Sequence, residues 1–272
     1  MNRQAFLHSP SHVTTYHARE ITMANANAPT ARMLDDAGIA PGMRVLDVGC
    51  AMGVLTRELA QRVGPGGEVV GIDIDRERVE MARGEVAPAG AAPIHYAVAD
   101  LSQNLPDLGT FDAVVGRRVL MYLPDPEPAL AQLAALLRPG GVMAWQEHDG
   151  AGRPFSIVEL PRHVELANWI WATIASEGGL PGTALQLPRL LQDCGLEPAS
   201  FRAEAIVLDP EGKGGASAMA RMMLPRIFAA GVVAEEGLDS EAFIAALDAE
   251  KAKAAAPIIW DFAYMTVARK PA

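Results

Sequence analysis

The run "VLDVGCAMG", Val45 to Gly53, decides the fold of this chain. Val45, Leu46 and Val48 form a short apolar stretch, the signature of a strand buried on both faces. Gly49 to Gly53 follow as a glycine-containing turn. Beyond the turn, Val54, Leu55, Leu59 and Val63 recur at helical spacing in "GVLTRELAQRVG". The unit is strand, tight turn, helix. Its odd member is Asp47, an acid inside an apolar strand.

Working outward, the same alternation repeats. "EVVGIDID" is expected as a second strand and "RERVEMARGEV" as a second helix. "IHYAVADL" is a third strand and "FDAVVGRRVL" a fourth. "PEPALAQLAALLRPGG" is a helix ended by Pro and Gly, and "VMAWQEHD" is a fifth strand. Residues 25–38 form a helix ahead of the first strand, broken by "GIAPGM". Strands alternating with helices imply an α/β fold with a doubly wound, mostly parallel, Rossmann-like sheet. After residue 150 the rhythm changes. "SIVELPRHVELANWIWATIASEG" reads as helical despite Pro161. "EPASFRAEAIVL" and "PIIWDFAYMTVARK" read as two long strands around a mostly helical insertion. Paired antiparallel, they complete a seven-stranded sheet with a C-terminal hairpin and a helical cap. The expected organisation is an N-terminal lid over 1–24, a ligand-binding core over 25–150, and a cap with the closing strands over 151–272.

Composition sets the outer bounds. The chain has 272 residues, half of them hydrophobic, with a net charge of −10. Its Lys and Arg are scattered, which disfavours a nucleic-acid surface. No apolar run approaches the ~20 residues that span a bilayer. Only two cysteines, Cys50 and Cys194, are present, and a reducing, cytoplasmic location is expected. The N-terminal stretch lacks the apolar core of a signal peptide.

In open α/β sheets, ligands bind beyond the carboxyl ends of the strands, where strand order reverses. The five strand ends carry Gly49, Asp73, Asp100, Arg117 and "QEHD", Gln146 to Asp149. A carboxylate after the second strand can accept two hydrogen bonds from a ribose diol. One after the third can take a purine amine. A dinucleotide site would instead need G-x-G-x-x-G for its pyrophosphate. Here Ala51 takes the middle glycine's place, and Asp47 would repel a phosphate. The pattern suits a nucleoside ligand without phosphates and disfavours the alternative of a NAD-dependent oxidoreductase.

These motifs, in this order, resemble those of class I S-adenosylmethionine-dependent methyltransferases. The stretch "RRVLMYLPDPEPALAQLAALLRPGG" is further similar to bacterial enzymes related to quinone-biosynthesis methyltransferases. The resemblance implies S-adenosylmethionine as cofactor and a small-molecule methyl acceptor as partner. Gly49 and Ala51 would line the methionine portion. Asp73 would hold the ribose, Ile74 would lie against adenine, and Asp100 with Leu101 would meet the adenine amine. The backbone at Arg117 would reach the methionine amine, and Tyr16 would close on the cofactor from the N-terminal segment. Ala51 departs from the family's glycine, and its position is expected to be passed with φ below zero. A cofactor-binding protein or cyclase on the same scaffold is a second alternative. A homodimer is left open.

His148 ends the fifth strand on the presumed acceptor side. It is the one candidate catalytic base, weighed against a purely structural histidine. Glu147 and Asp149 are poor partners for it, because neighbours along a strand point to opposite faces. Cys50 reads as a small buried residue, not a nucleophile. Trp169 and Trp171 cannot share a helix face, so one belongs to the core and the other lines the pocket. His8, His12 and His17 lack metal-ligand spacing. Strand four ends in arginines, a poor magnesium site. No metal is expected.

Overall fold

The computed structural model describes residues 24–208 and 215–272. Tyr16 and the three N-terminal histidines lie outside them, as does nearly all of the expected lid. The chain runs α1 (Ala24–Ala37), β1 (Arg44–Val48), α2 (Val54–Val63), β2 (Glu68–Asp73), α3 (Arg76–Gly84), β3 (Ile94–Val98) and β4 (Phe111–Arg117). It continues through α4 (Glu127–Ala135), β5 (Leu137–Glu147), α5 (Pro161–Ser176), α6 (Thr183–Asp193) and β6 (Glu197–Leu208). It closes with α7 (Ala216–Ala229), α8 (Ser240–Ala254) and β7 (Ile258–Arg269).

The strands form one sheet in the order β3-β2-β1-β4-β5-β7-β6. The first five strands pair in parallel, and β7 pairs antiparallel with both β5 and β6. Strand order reverses between β1 and β4, which makes their carboxyl ends the ligand edge. Apolar helix faces cover both sides. Met33 and Leu34 of α1 and Leu55 and Leu59 of α2 pack on Val45, Val115, Ala144 and Met265. Leu130 and Leu133 of α4 and Leu187 and Leu191 of α6 pack on Leu46, Val114 and Trp145.

Three details differ from the sequence expectation. The helix around Pro161 begins at that proline instead of running through it. Proline is suited to the first turn, where its missing N–H has no partner to lose. Strand β5 begins at Leu137, but its register with β4 shifts between Phe111 and Ala113. The exposed Arg138-Pro139-Gly140 segment bulges out before regular pairing starts at Val142. Helix α6 was not expected as a separate element.

Helices α5, α7 and α8 share an apolar core of their own with Trp260. It includes Leu166, Leu224, Ile227, Phe243 and Leu247. Trp169 joins it, its ring centroid 4.8 Å from that of Phe243. Trp171 instead lies against Gly150, just past β5. The two tryptophans thus have different neighbours.

Candidate active site

The turn after β1 is fastened to β2 from below. The backbone N–H groups of Gly49 and Cys50 both donate to the carbonyl of Ile72, at 2.8 and 2.9 Å. Gly49 has φ 69°, and a Cβ there would stand 2.4 Å from Cγ2 of Val119, in the loop after β4. Glycine is required on both counts. Ala51 follows with φ 46°. The expectation of negative φ at Ala51 is therefore corrected: alanine occupies the left-handed region that glycine would enter without strain. Its N–H donates to Oδ2 of Asp73 at 2.8 Å, which holds it there.

Asp47 is wholly buried beneath this turn. Its carboxylate accepts the hydroxyl of Thr56 on α2 at 2.6 Å. Burial raises its pKa to about 7, against the Thr56 bond and the attraction of Arg117. Asp47 organises the loop and does not face a ligand. Cys50 is buried next to it. Loss of solvation, then the Asp47 and Asp73 charges, push its thiol far above the usual range, so it is an inert packing residue.

Asp73 ends β2, and Asp100 lies two residues past β3. Asp73 Oδ1 accepts the N–H of Asp75 at 2.9 Å, so both its oxygens serve the loop. A carboxylate oxygen has a second acceptor position, and these remain for a diol. Oδ1 of Asp100 accepts both donors of Ser102, at 2.8 and 2.7 Å. Oδ2 makes neither bond. Ile74, next to Asp73, is 63% exposed, and Met52 in the turn after β1 and Val54 at the start of α2 are exposed. Leu101 is half-buried. Two acids flanking an exposed apolar surface, above a glycine turn, fit a nucleoside with a flat base and a free amine. They fit S-adenosylmethionine in charge and shape.

Arg117 ends β4 opposite Gln146 of β5. Its guanidinium donates to Thr30 of α1 at 3.4 Å, and Thr30 donates to the Gln146 side chain at 2.6 Å. Burial lowers the Arg117 pKa, Arg118 adds to this, and Asp47 opposes it.

The roles of two acids were not read from sequence. Glu147 is wholly buried, and its Oε1 accepts the N–H groups of Val119 and Leu120 at 2.9 and 3.0 Å. Oε2 has no partner among the described residues. Burial raises its pKa to about 7, against those backbone donors. Glu147 thus fixes the loop whose Val119 covers Gly49. The second acid is Asp261 of β7, whose Oδ2 lies 2.7 Å from Nδ1 of His148. Its signal was legible: an acid interrupting "IIWDFAYM" repeats what Asp47 does in β1.

The chain is also similar to known proteins. A nocamycin O-methyltransferase of Saccharothrix syringae is 38% identical over 110 residues, 40% of this chain and 39% of that protein. A ubiquinone biosynthesis O-methyltransferase of Chromobacterium violaceum is 39% identical over 103 residues, 37% of this chain and 42% of that one. The matched stretch thus spans about two fifths of these relatives' length. The solved [4+2]-cyclase SpnF shares the fold, with a TM-score of 0.53 at 22% identity, over 93% of this chain and 84% of that one. Over residues 39–188, more than half its length, the chain matches the family described as "Methyltransferase domain", and it belongs to that S-adenosylmethionine-dependent family.

Proposed function

We propose that the protein transfers the methyl group of S-adenosylmethionine to a small-molecule acceptor without a metal ion. One observation supports the reading: the glycine turn after β1, Asp73 and exposed Ile74 after β2, and Asp100 after β3 all lie on the carboxyl edge of the sheet, on the β1 side of the strand-order reversal. Asp73 and Asp100 hold the nucleoside by accepting its hydroxyls and amine. Ile74 and Leu101 cover the base. Gly49 and Ala51 bring the backbone close to the methionine portion, and the Arg117 backbone takes its amine. The donor supplies a methyl already activated by a positive sulfur. What remains for the chain is orientation and exclusion of water. Helices α5, α7 and α8 serve as the cap for this.

Metal independence is supported by Arg117 and Arg118 at the end of β4, where a magnesium site would need acids. The relatives named O-methyltransferases support a small acceptor. The two free thiols suit a cytoplasmic enzyme. Calorimetric titration with S-adenosylmethionine, S-adenosylhomocysteine and NAD tests the cofactor, and NAD binding alone would overturn the reading. A cyclase with the same fold gives the second reading. Release of S-adenosylhomocysteine with a methylated product separates the two.

A further inference from the structure

We propose that His148 and Asp261 form a proton-accepting pair for a hydroxyl-bearing acceptor, so that the methyl group is placed on oxygen. This inference rests on the methyl-transfer reading above and adds the acceptor class and one positioning residue to it.

The pair is assembled by topology. Strands β5 and β7 are antiparallel neighbours, with Glu147 opposite Tyr264. Asp261 lies three residues before Tyr264, so β7 carries it beyond the carboxyl end of β5. There it meets His148, at 2.7 Å between Oδ2 and Nδ1. The other carboxylate oxygen, Oδ1, accepts the N–H of Phe262 at 2.7 Å. Both oxygens are held, and the carboxylate has one orientation. A carboxylate can only accept, so Nδ1 carries the proton. In the neutral ring, Nε2 then presents a lone pair. That is the tautomer a general base needs.

The pair is not what aligns the two strands. The backbones of β5 and β7 already pair from Val142 to Glu147. His163 and Glu250 show what a structural pair looks like in this chain. Glu250 also caps α5 through the N–H groups of Arg162 and His163, and the His163 ring is sealed against Trp260. The His163 side chain is 1% exposed, whereas those of His148 and Asp261 keep 16% and 11%. His148 also lies just past the carboxyl end of β5, two residues beyond Gln146, the neighbour of Arg117, on the edge where the proposed donor site lies.

The chemistry selects the acceptor. A neutral amine attacks with its own lone pair and needs no base beforehand. A hydroxyl gains from losing its proton as it attacks. The acceptor oxygen forms a bond to the methyl carbon, and the carbon–sulfur bond breaks with its electron pair going to sulfur. The hydroxyl proton passes to Nε2 of His148 and then to solvent. The products are the methyl ether and S-adenosylhomocysteine.

The test uses the full chain. In Asp261→Asn the amide oxygen retains the Phe262 N–H, and the amide NH2 faces Nδ1. This moves the imidazole proton to Nε2. Nitrogen-15 NMR of histidine-labelled protein, with His148 assigned by its loss in His148→Gln, should show an Nδ1–H tautomer in the parent and Nε2–H in Asp261→Asn. An Nε2–H tautomer in the parent overturns the pair. With labelled S-adenosylmethionine, polyhydroxylated benzoic acids should be methylated and their amino counterparts should not. Both substitutions should lower kcat by about 10²-fold or more, with donor affinity unchanged by calorimetry. Transfer to amines alone, transfer to neither series by a chain that binds the donor, or unaltered kcat in Asp261→Asn overturns the proposal. Failure of the parent to bind S-adenosylmethionine would instead remove the methyl-transfer reading beneath it.

Discussion

The Oδ2 of Asp73 accepts the backbone N–H of Ala51 at 2.8 Å. One carboxylate therefore shapes the turn after β1, and in the proposed site the same carboxylate also faces the ligand. The Asp75 N–H on Oδ1 completes the arrangement. Asp73→Ala removes both the charge-assisted bonds to the ribose and the anchor of the turn. Affinity for S-adenosylmethionine should fall by about 10-fold or more, in line with ~1.5–3 kcal/mol for a hydrogen bond to a charged group. Calorimetry measures this directly, and unchanged affinity would remove Asp73 from the site.

Ala51→Gly tests the strain at φ 46°. Left-handed backbone costs a non-glycine residue about 1–2 kcal/mol. Glycine relieves this, but gains about 0.4–1 kcal/mol of unfolded-chain entropy. The net expectation is a stability gain of up to about 1 kcal/mol, where negative φ would have given a loss. Donor affinity should stay within a few-fold of the parent. Urea denaturation decides the sign, and a clear loss of stability would mean that the methyl of Ala51 packs favourably enough to outweigh its backbone.

The two buried carboxyls, Asp47 and Glu147, should make stability depend on pH. Each is raised to about 7 by burial, from ordinary values near 4. The folded state keeps their protons where the unfolded chain has released them. Their stabilising contribution is thus fully present below about pH 4 and is lost as pH rises through 7. Each accounts for a change on the order of 4 kcal/mol at most. Glu147→Gln keeps an acceptor for the Val119 and Leu120 N–H groups but cannot ionise. Its unfolding free energy should decline less than the parent's between pH 4.5 and 7. Parallel profiles would show that Glu147 does not titrate in that range.

Gly116 sits in β4 directly beneath the ring of Trp145, which is fully buried. A Cβ at this position would stand 2.0 Å from Cζ3 of the indole. Gly116→Ala must displace that ring or the strand, at about 1–3 kcal/mol as for other overpacked cores. Pairing it with Trp145→Leu should restore part of the loss, which a double-mutant cycle measures. Additive effects would place the strain elsewhere.

The alternation of apolar runs with helical spacing determined the sheet, its parallel core and the late hairpin, because each strand and helix announces its buried face locally. The same local logic picked out Gly49, Asp73 and Asp100 at strand ends. Helix α6 and the start of α5 at Pro161 escaped it, since a proline is compatible with either a break or a first turn. The sign of φ at Ala51 was decided by tertiary structure: the Asp73 carboxylate and the Ile72 carbonyl together bend the turn. Glu147 gained its role only when β5 brought it under the loop after β4. Asp261 met His148 only because β7 runs antiparallel beside β5 and past its end, a contact between residues 113 positions apart. Spacing along the chain says which residues share an element. Which strands become neighbours depends on how all the apolar faces are buried together, and in this protein that neighbour relation joins the histidine to its acid.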